Sequence, residues 1–128
     1  MTRTATIAHM TIRVSGLLLI LLGLAIWTGR ADQVIPIHEL LGVVLVLALW
    51  TLSYFASRAG VPMRWVVLAV AWGLLAPILG ETQQNLVTGD WHWTIQVLHL
   101  LIGLGAIGQG ENLAVRMRQV DSARVTQR

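Results

Sequence analysis

Four apolar runs separated by short polar stretches set the pattern of this chain. Ile12 to Trp27 ends at Thr28-Gly29-Arg30-Ala31-Asp32-Gln33, and Val34 to Ala56 ends at Ser57-Arg58-Ala59-Gly60. A third run begins near Val61-Pro62 and continues to Leu79, ending at Gly80-Glu81. The fourth starts around Trp91, stays apolar to about Ile107 and becomes more polar through Val115. Roughly 20 residues cross a bilayer core, so the second run suffices alone and the first does so once Ile7 to Thr11 joins it. Backbone polar groups cannot go unpaired in lipid, and each run is therefore predicted to be an α-helix. The expected fold is all-α: a bundle of four transmembrane helices in one domain, 1–128, with halves at about 1–59 and 60–115 and a basic tail at 116–128.

Composition agrees. Of 128 residues, 55% are hydrophobic and 12% charged, about half the charge usual in a soluble domain. The nine basic residues are all Arg and the chain has no Cys, which removes disulfides, thiolate metal sites, iron–sulfur clusters and cysteine nucleophiles. The arginines flank apolar runs instead of interleaving with exposed polar surface, so the basic balance points to a membrane and not to nucleic acid. The first run has the outline of a signal peptide, but Thr28-Gly29-Arg30 is a poor small-residue cleavage site, so it is read as a retained helix.

Charge also orients the bundle. With the N-terminus inside, Arg3, Arg13, Arg58, Arg64, Arg116, Arg118, Arg124 and Arg128 all fall on the inner side, and only Arg30 lies outside, with Asp32, Glu39, Glu81 and Asp90. That asymmetry predicts a multi-pass protein of a bacterial-type inner membrane with both termini cytoplasmic. Trp27, Trp91 and Trp93 are placed at the outer interface, and Tyr54, Phe55 and Trp65 at the inner one.

The halves share a motif. Thr28-Gly29 is followed, after eight residues, by His38-Glu39-Leu40-Leu41-Gly42; Thr88-Gly89 is followed, after nine, by His99-Leu100-Leu101-Ile102-Gly103. Two parallel repeats, helices 1–2 and 3–4, related by a pseudo-two-fold axis along the membrane normal, place helices 2 and 4 across a diagonal. His38 and His99 then become mates at similar depth, roughly 7–12 Å inside their helices. Intramembrane ionisable residues are costly and functional by default, and two imidazoles facing each other across a bundle are the usual axial pair for haem iron. Gly42 and Gly103, one turn deeper on the same faces, leave room for a macrocycle. Each imidazole is expected to ligate through Nε2 and to donate Nδ1–H to a carbonyl or another acceptor. Arg30 is the expected propionate partner, with Trp91, Trp93, Gln33 and Gln96 as lesser candidates.

Other readings of the pair stay open: polar contacts holding helices together, another metal, or a quinone. His92, between two tryptophans, reads as interfacial, and His9 lacks a histidine partner at its depth, so one haem is expected. Gly103-Leu104-Gly105-Ala106-Ile107-Gly108 matches the dinucleotide fingerprint in letters only, because no strand precedes it. With Gly110 it reads instead as a small-residue strip for helix or oligomer contact. Glu39 is the deepest carboxylate, about 100° around the helix from His38. Pro77 is expected to kink helix 3, and Trp50 and Trp72 to pack. No hydrolytic constellation, P-loop or paired-carboxylate pattern occurs.

The layout, with one histidine near the outer end of helix 2 and one near that of helix 4, resembles the four-helix membrane b-type cytochromes. It is most similar to one half of haem A synthase, over Leu18 to His38 and Ile78 to His99 with the Leu-rich helices that follow. The resemblance implies a bis-histidine haem and either electron transfer or haem modification. The family usually places a glutamate three residues before its first ligand, where this chain has Ile35, which favours electron transfer. The expected protein thus holds one haem b through His38 and His99 and passes electrons, with a quinol as a candidate donor. Its rivals are a haem-free accessory or assembly subunit of a larger membrane complex and a haem-modifying protein. A homo-oligomer or larger assembly is expected in either case.

Overall fold

Thr2 starts the first helix: its Oγ1 accepts from the Ala5 N–H at 3.2 Å, filling one of the donor vacancies of a helix start. In this computed structural model, which describes residues 1–29 and 31–126, α1 runs Arg3–Trp27. It therefore takes in the Ile7–Thr11 stretch that the first span needed. A 3₁₀ turn, Asp32–Val34, leads into α2, Ile35–Ala59, with Pro36 in the first turn, where its missing N–H costs nothing. Gly60 ends α2 in the left-handed region at φ 92°, a conformation that only glycine adopts freely. Pro62 opens α3, Met63–Thr82, which continues through Pro77 as one helix. Two further 3₁₀ turns, Gln83–Asn85 and Gly89–Trp91, lead to α4, His92–Thr126. No strand occurs among the described residues.

Three helical segments are long and apolar enough to cross a membrane: Arg3–Trp27, Asp32–Ala59 and Met63–Asn85. The fourth helix is less apolar than its run suggested, because it carries His92, Thr94, Gln96 and His99 at one level and Gln109, Glu111 and Asn112 at another. It is also longer than expected. At 35 residues it extends about 52 Å, well beyond a hydrocarbon core of about 30 Å. The basic tail is helical to Thr126. It is tied down at two places: the Met1 ammonium lies 2.6 Å from Asp121 Oδ2, and Arg124 donates to the Ala59 carbonyl at 2.9 Å. Both ends of the described chain therefore lie at one end of the bundle.

The helices pack in the ring order α1-α2-α3-α4. Each touches its two neighbours, α2 and α4 also touch across the diagonal, and α1 and α3 do not meet. The close-packed core occupies only one half. Every buried residue lies at or before Gly16 in α1, at or after Leu45 in α2, no later than Gly73 in α3 and no earlier than Ala106 in α4. That half is rich in small side chains, including Ala5, Ala8, Ala48, Ala56, Ala69 and Ala106, which let backbones approach closely.

Glycines complete the contacts. A Cβ at Gly16 would stand 2.7 Å from Ile107, and one at Gly110 would stand 3.0 Å from Ile12, a reciprocal pair between α1 and α4. Trp72 lies against Gly105 and donates to the Ile102 carbonyl at 2.8 Å; Trp50 lies against Gly73 and donates to the Val70 carbonyl at 3.3 Å. The proposed glycine strip of α4 is thus divided. Gly105, Ala106 and Gly110 are used inside the bundle, and only Gly103 and Gly108 meet open space.

Candidate functional site

The other half of the bundle, from residue 17 to 44 and from 74 to 105, has no buried position among its described residues. His38 and His99 lie here. His38 is in the first turn of α2 and His99 two turns into α4, so the diagonal contact of these two helices brings the rings together. Their centroids are 6.3 Å apart, with ring planes inclined at 52°. Both side chains are half-buried.

Each ring has a matched setting. A Cβ at Gly23 of α1 would lie 3.3 Å from His38 Cε1, and a Cβ at Gly80 of α3 would lie 3.1 Å from His99 Cε1. Each odd-numbered helix therefore supplies one glycine as the floor for the imidazole of the next helix. Gly42 and Gly103 are different: nothing lies within 4 Å of the position a Cβ would take at either. Each ring is thus closely supported by one glycine, while the position one turn deeper on its own helix is uncrowded.

The Nδ1 atoms correct one expectation. Both were expected to donate to a carbonyl or another acceptor, yet Nδ1 of His38 and Nδ1 of His99 are buried with no hydrogen-bond partner among the described residues. A helical carbonyl one turn back already accepts from the backbone, and the rings lean on glycines instead of polar side chains. Arg30, the expected propionate partner, lies outside the described residues. Of the lesser candidates, Trp91, Trp93 and Gln33 are exposed and Gln96 is half-buried. Glu39 is exposed, on the outside of the bundle, as its angular offset from His38 implied.

Sequence reasoning missed Gly23 and Gly80. The available signal was that each is the glycine nearest the outer end of its helix. It also missed Glu111. His9 is 3% exposed, and its Nε2 lies 3.0 Å from Glu111 Oε1, within ion-pair distance though outside hydrogen-bond geometry. Arg13 Nε reaches the same oxygen at 3.0 Å. This cluster ties α1 to α4 in the close-packed half, on the far side of the core from the His38–His99 pair.

The chemistry open to the pair is limited by its donor count. No three His, Cys, Asp or Glu side chains converge among the described residues, so a bare metal ion here would find two protein ligands where closed sites usually supply four. A macrocycle that brings its own in-plane nitrogens needs only two. Metal–imidazole bonds of about 2 Å on opposite sides of one ion place ring centroids about 6 Å apart, which agrees with the observed spacing. Comparison with protein-family models, curated sequences and solved structures returned no match.

Proposed function

We propose that this chain is an integral membrane protein that holds one b-type haem between His38 and His99 and passes single electrons through it. The observation that carries the reading is the 6.3 Å separation of two imidazoles, each backed by a glycine. The open positions at Gly42 and Gly103 and the loosely packed half around them supply space for a planar group. Polar contact between helices is the weaker reading, because that role needs hydrogen bonds and both Nδ1 atoms lack a partner among the described residues.

The bound haem would supply reversible one-electron chemistry at the iron. The residues of this chain would do the rest. His38 and His99 would hold the group through their imidazoles. Gly23 and Gly80 hold the two rings in place. The hydrophobic helices exclude water and so set the dielectric around the charge. Haem modification has less support, since Ile35 stands where the resembling family carries a glutamate and Glu39 faces outward.

In the membrane, we place the arginine-rich end inside and the histidine end outside, by the positive-inside rule. The fourth helix crosses as well, since it lies against α1, α2 and α3. The matched Gly23–His38 and Gly80–His99 contacts support the two-fold relation of the halves. A quinol is a suitable donor and a carrier on the outer side a suitable acceptor. The test is haem content: protein purified in detergent after expression with a haem supply carries one haem b per chain by pyridine haemochrome assay. Well-folded protein without haem would leave the accessory-subunit reading in its place.

A further inference from the structure

A groove between α1 and α2 starts in the close-packed half, reaches into the looser half at Leu18 and Leu41, and opens to the outside of the bundle. It has two connected stretches, of about 450 and 280 Å³, which share Ile7, Thr11 and Val44. One end is at Leu18 and Leu41, the other at Thr4 and Thr51. Fourteen helical residues separate Leu18 from Thr4, about 21 Å, and the hydrocarbon of one leaflet is about 15 Å deep. The walls are mostly apolar, and three of their hydroxyls are spent on their own helices: Thr6 donates to the Thr2 carbonyl, Ser15 to Thr11 and Thr51 to Leu47.

The arginine-rich end of this groove carries free positive charge. Arg3 continues the stripe of Ile7 and Val14 on α1, and Arg58 lies two turns beyond Thr51 on the same stripe of α2. Both are exposed, and neither forms an ion pair among the described residues. Three other arginines at this end are engaged, while Arg64 and Arg118 are exposed on α3 and α4, not on the helices that wall the groove. Arg13 pairs with Glu111, Arg116 donates to Asn112 and covers the Trp65 ring at 3.7 Å, and Arg124 donates to Ala59.

We infer that the α1–α2 groove binds one anionic phospholipid of the inner leaflet, with an acyl chain along Ile7, Thr11 and Val44 and the headgroup phosphate between Arg3 and Arg58. Apolar length and unpaired charge at one end are the two features such a lipid requires. Two guanidinium groups would favour an anionic over a zwitterionic headgroup. The inference rests on the membrane placement proposed above and is independent of the haem.

Native mass spectrometry of the full-length protein in detergent, titrated with dioleoyl phosphatidylglycerol or dioleoyl phosphatidylcholine, tests it. One phosphatidylglycerol is retained preferentially. The double variant Arg3→Gln/Arg58→Gln binds it about tenfold to thirtyfold more weakly, while Arg64→Gln/Arg118→Gln keeps it. Thr11→Phe, which fills the shared stretch, also loses it with both arginines intact. Equal loss in the two double variants, or retention by both Arg3→Gln/Arg58→Gln and Thr11→Phe, overturns the site. A protein that stays in solution without detergent overturns the membrane placement with it.

Discussion

The ring of His99 occupies the space that a side chain at Gly80 would need: a Cβ there would stand 3.1 Å from Cε1, and Gly23 has the same relation to His38 at 3.3 Å. Neither glycine has a left-handed backbone, so conformation does not require glycine at either place. The neighbouring imidazole does. Gly80→Val and Gly23→Val are expected to push the rings from their positions and lower haem affinity about tenfold or more, the usual effect of disturbing a ligand's support. Haem titration of each purified variant checks this, with circular dichroism confirming that the helices remain.

Gly42 and Gly103 differ in kind, because open space surrounds both. Gly42→Leu and Gly103→Leu are expected to abolish haem retention by taking up space that the proposed haem would need. The same changes remove a flexible residue from a helix interior, so the haem-free protein should become more stable by about 0.5–1 kcal/mol. Thermal unfolding of haem-free samples, set beside haem content, separates the two effects.

Where a tryptophan ring covers the glycine, the sign reverses. Gly105→Leu would drive a side chain into the Trp72 ring and disturb its bond to the Ile102 carbonyl, at an expected cost of about 1–3 kcal/mol. Gly108→Leu, three residues along in open space, should cost nothing measurable. Detergent-based unfolding midpoints of the two variants should differ clearly in that direction.

Single-cysteine labelling is direct in a chain with no native Cys. Ser122→Cys should react with a membrane-impermeant maleimide only in inverted vesicles, and Asn85→Cys only in right-side-out cells. The opposite pattern would invert the orientation, and labelling of both from one side would remove α4 as a crossing helix.

The reach and the limit of sequence reasoning have physical causes here. The His38–His99 pair was legible because each histidine falls near the start of an apolar run, and α2 and α4 meet across a diagonal. The supports at Gly23 and Gly80 were not legible, since their role arises only where one helix crosses another. The helical end of the chain was missed for a similar reason. Residues 116–126 have little apolar periodicity to mark a helix, and their fixed points, Met1–Asp121 and Arg124–Ala59, join residues 120 and 65 apart in sequence. Glu111 fell in a stretch that read as a frayed end, and only packing turned it toward His9 and Arg13. The division of the glycine strip also belongs to tertiary structure, because spacing alone does not show which small residues a Trp ring will cover.

The most direct test of the central claim is a dithionite-reduced minus oxidised absorption spectrum of the detergent-purified protein, recorded beside His38→Ala and His99→Ala. A sharp band of b type is expected in the native protein and its loss in each single variant, because the proposed site needs both imidazoles to hold the group. A flat spectrum from well-folded native protein supplied with haem would contradict it, as would a native spectrum that survives both substitutions.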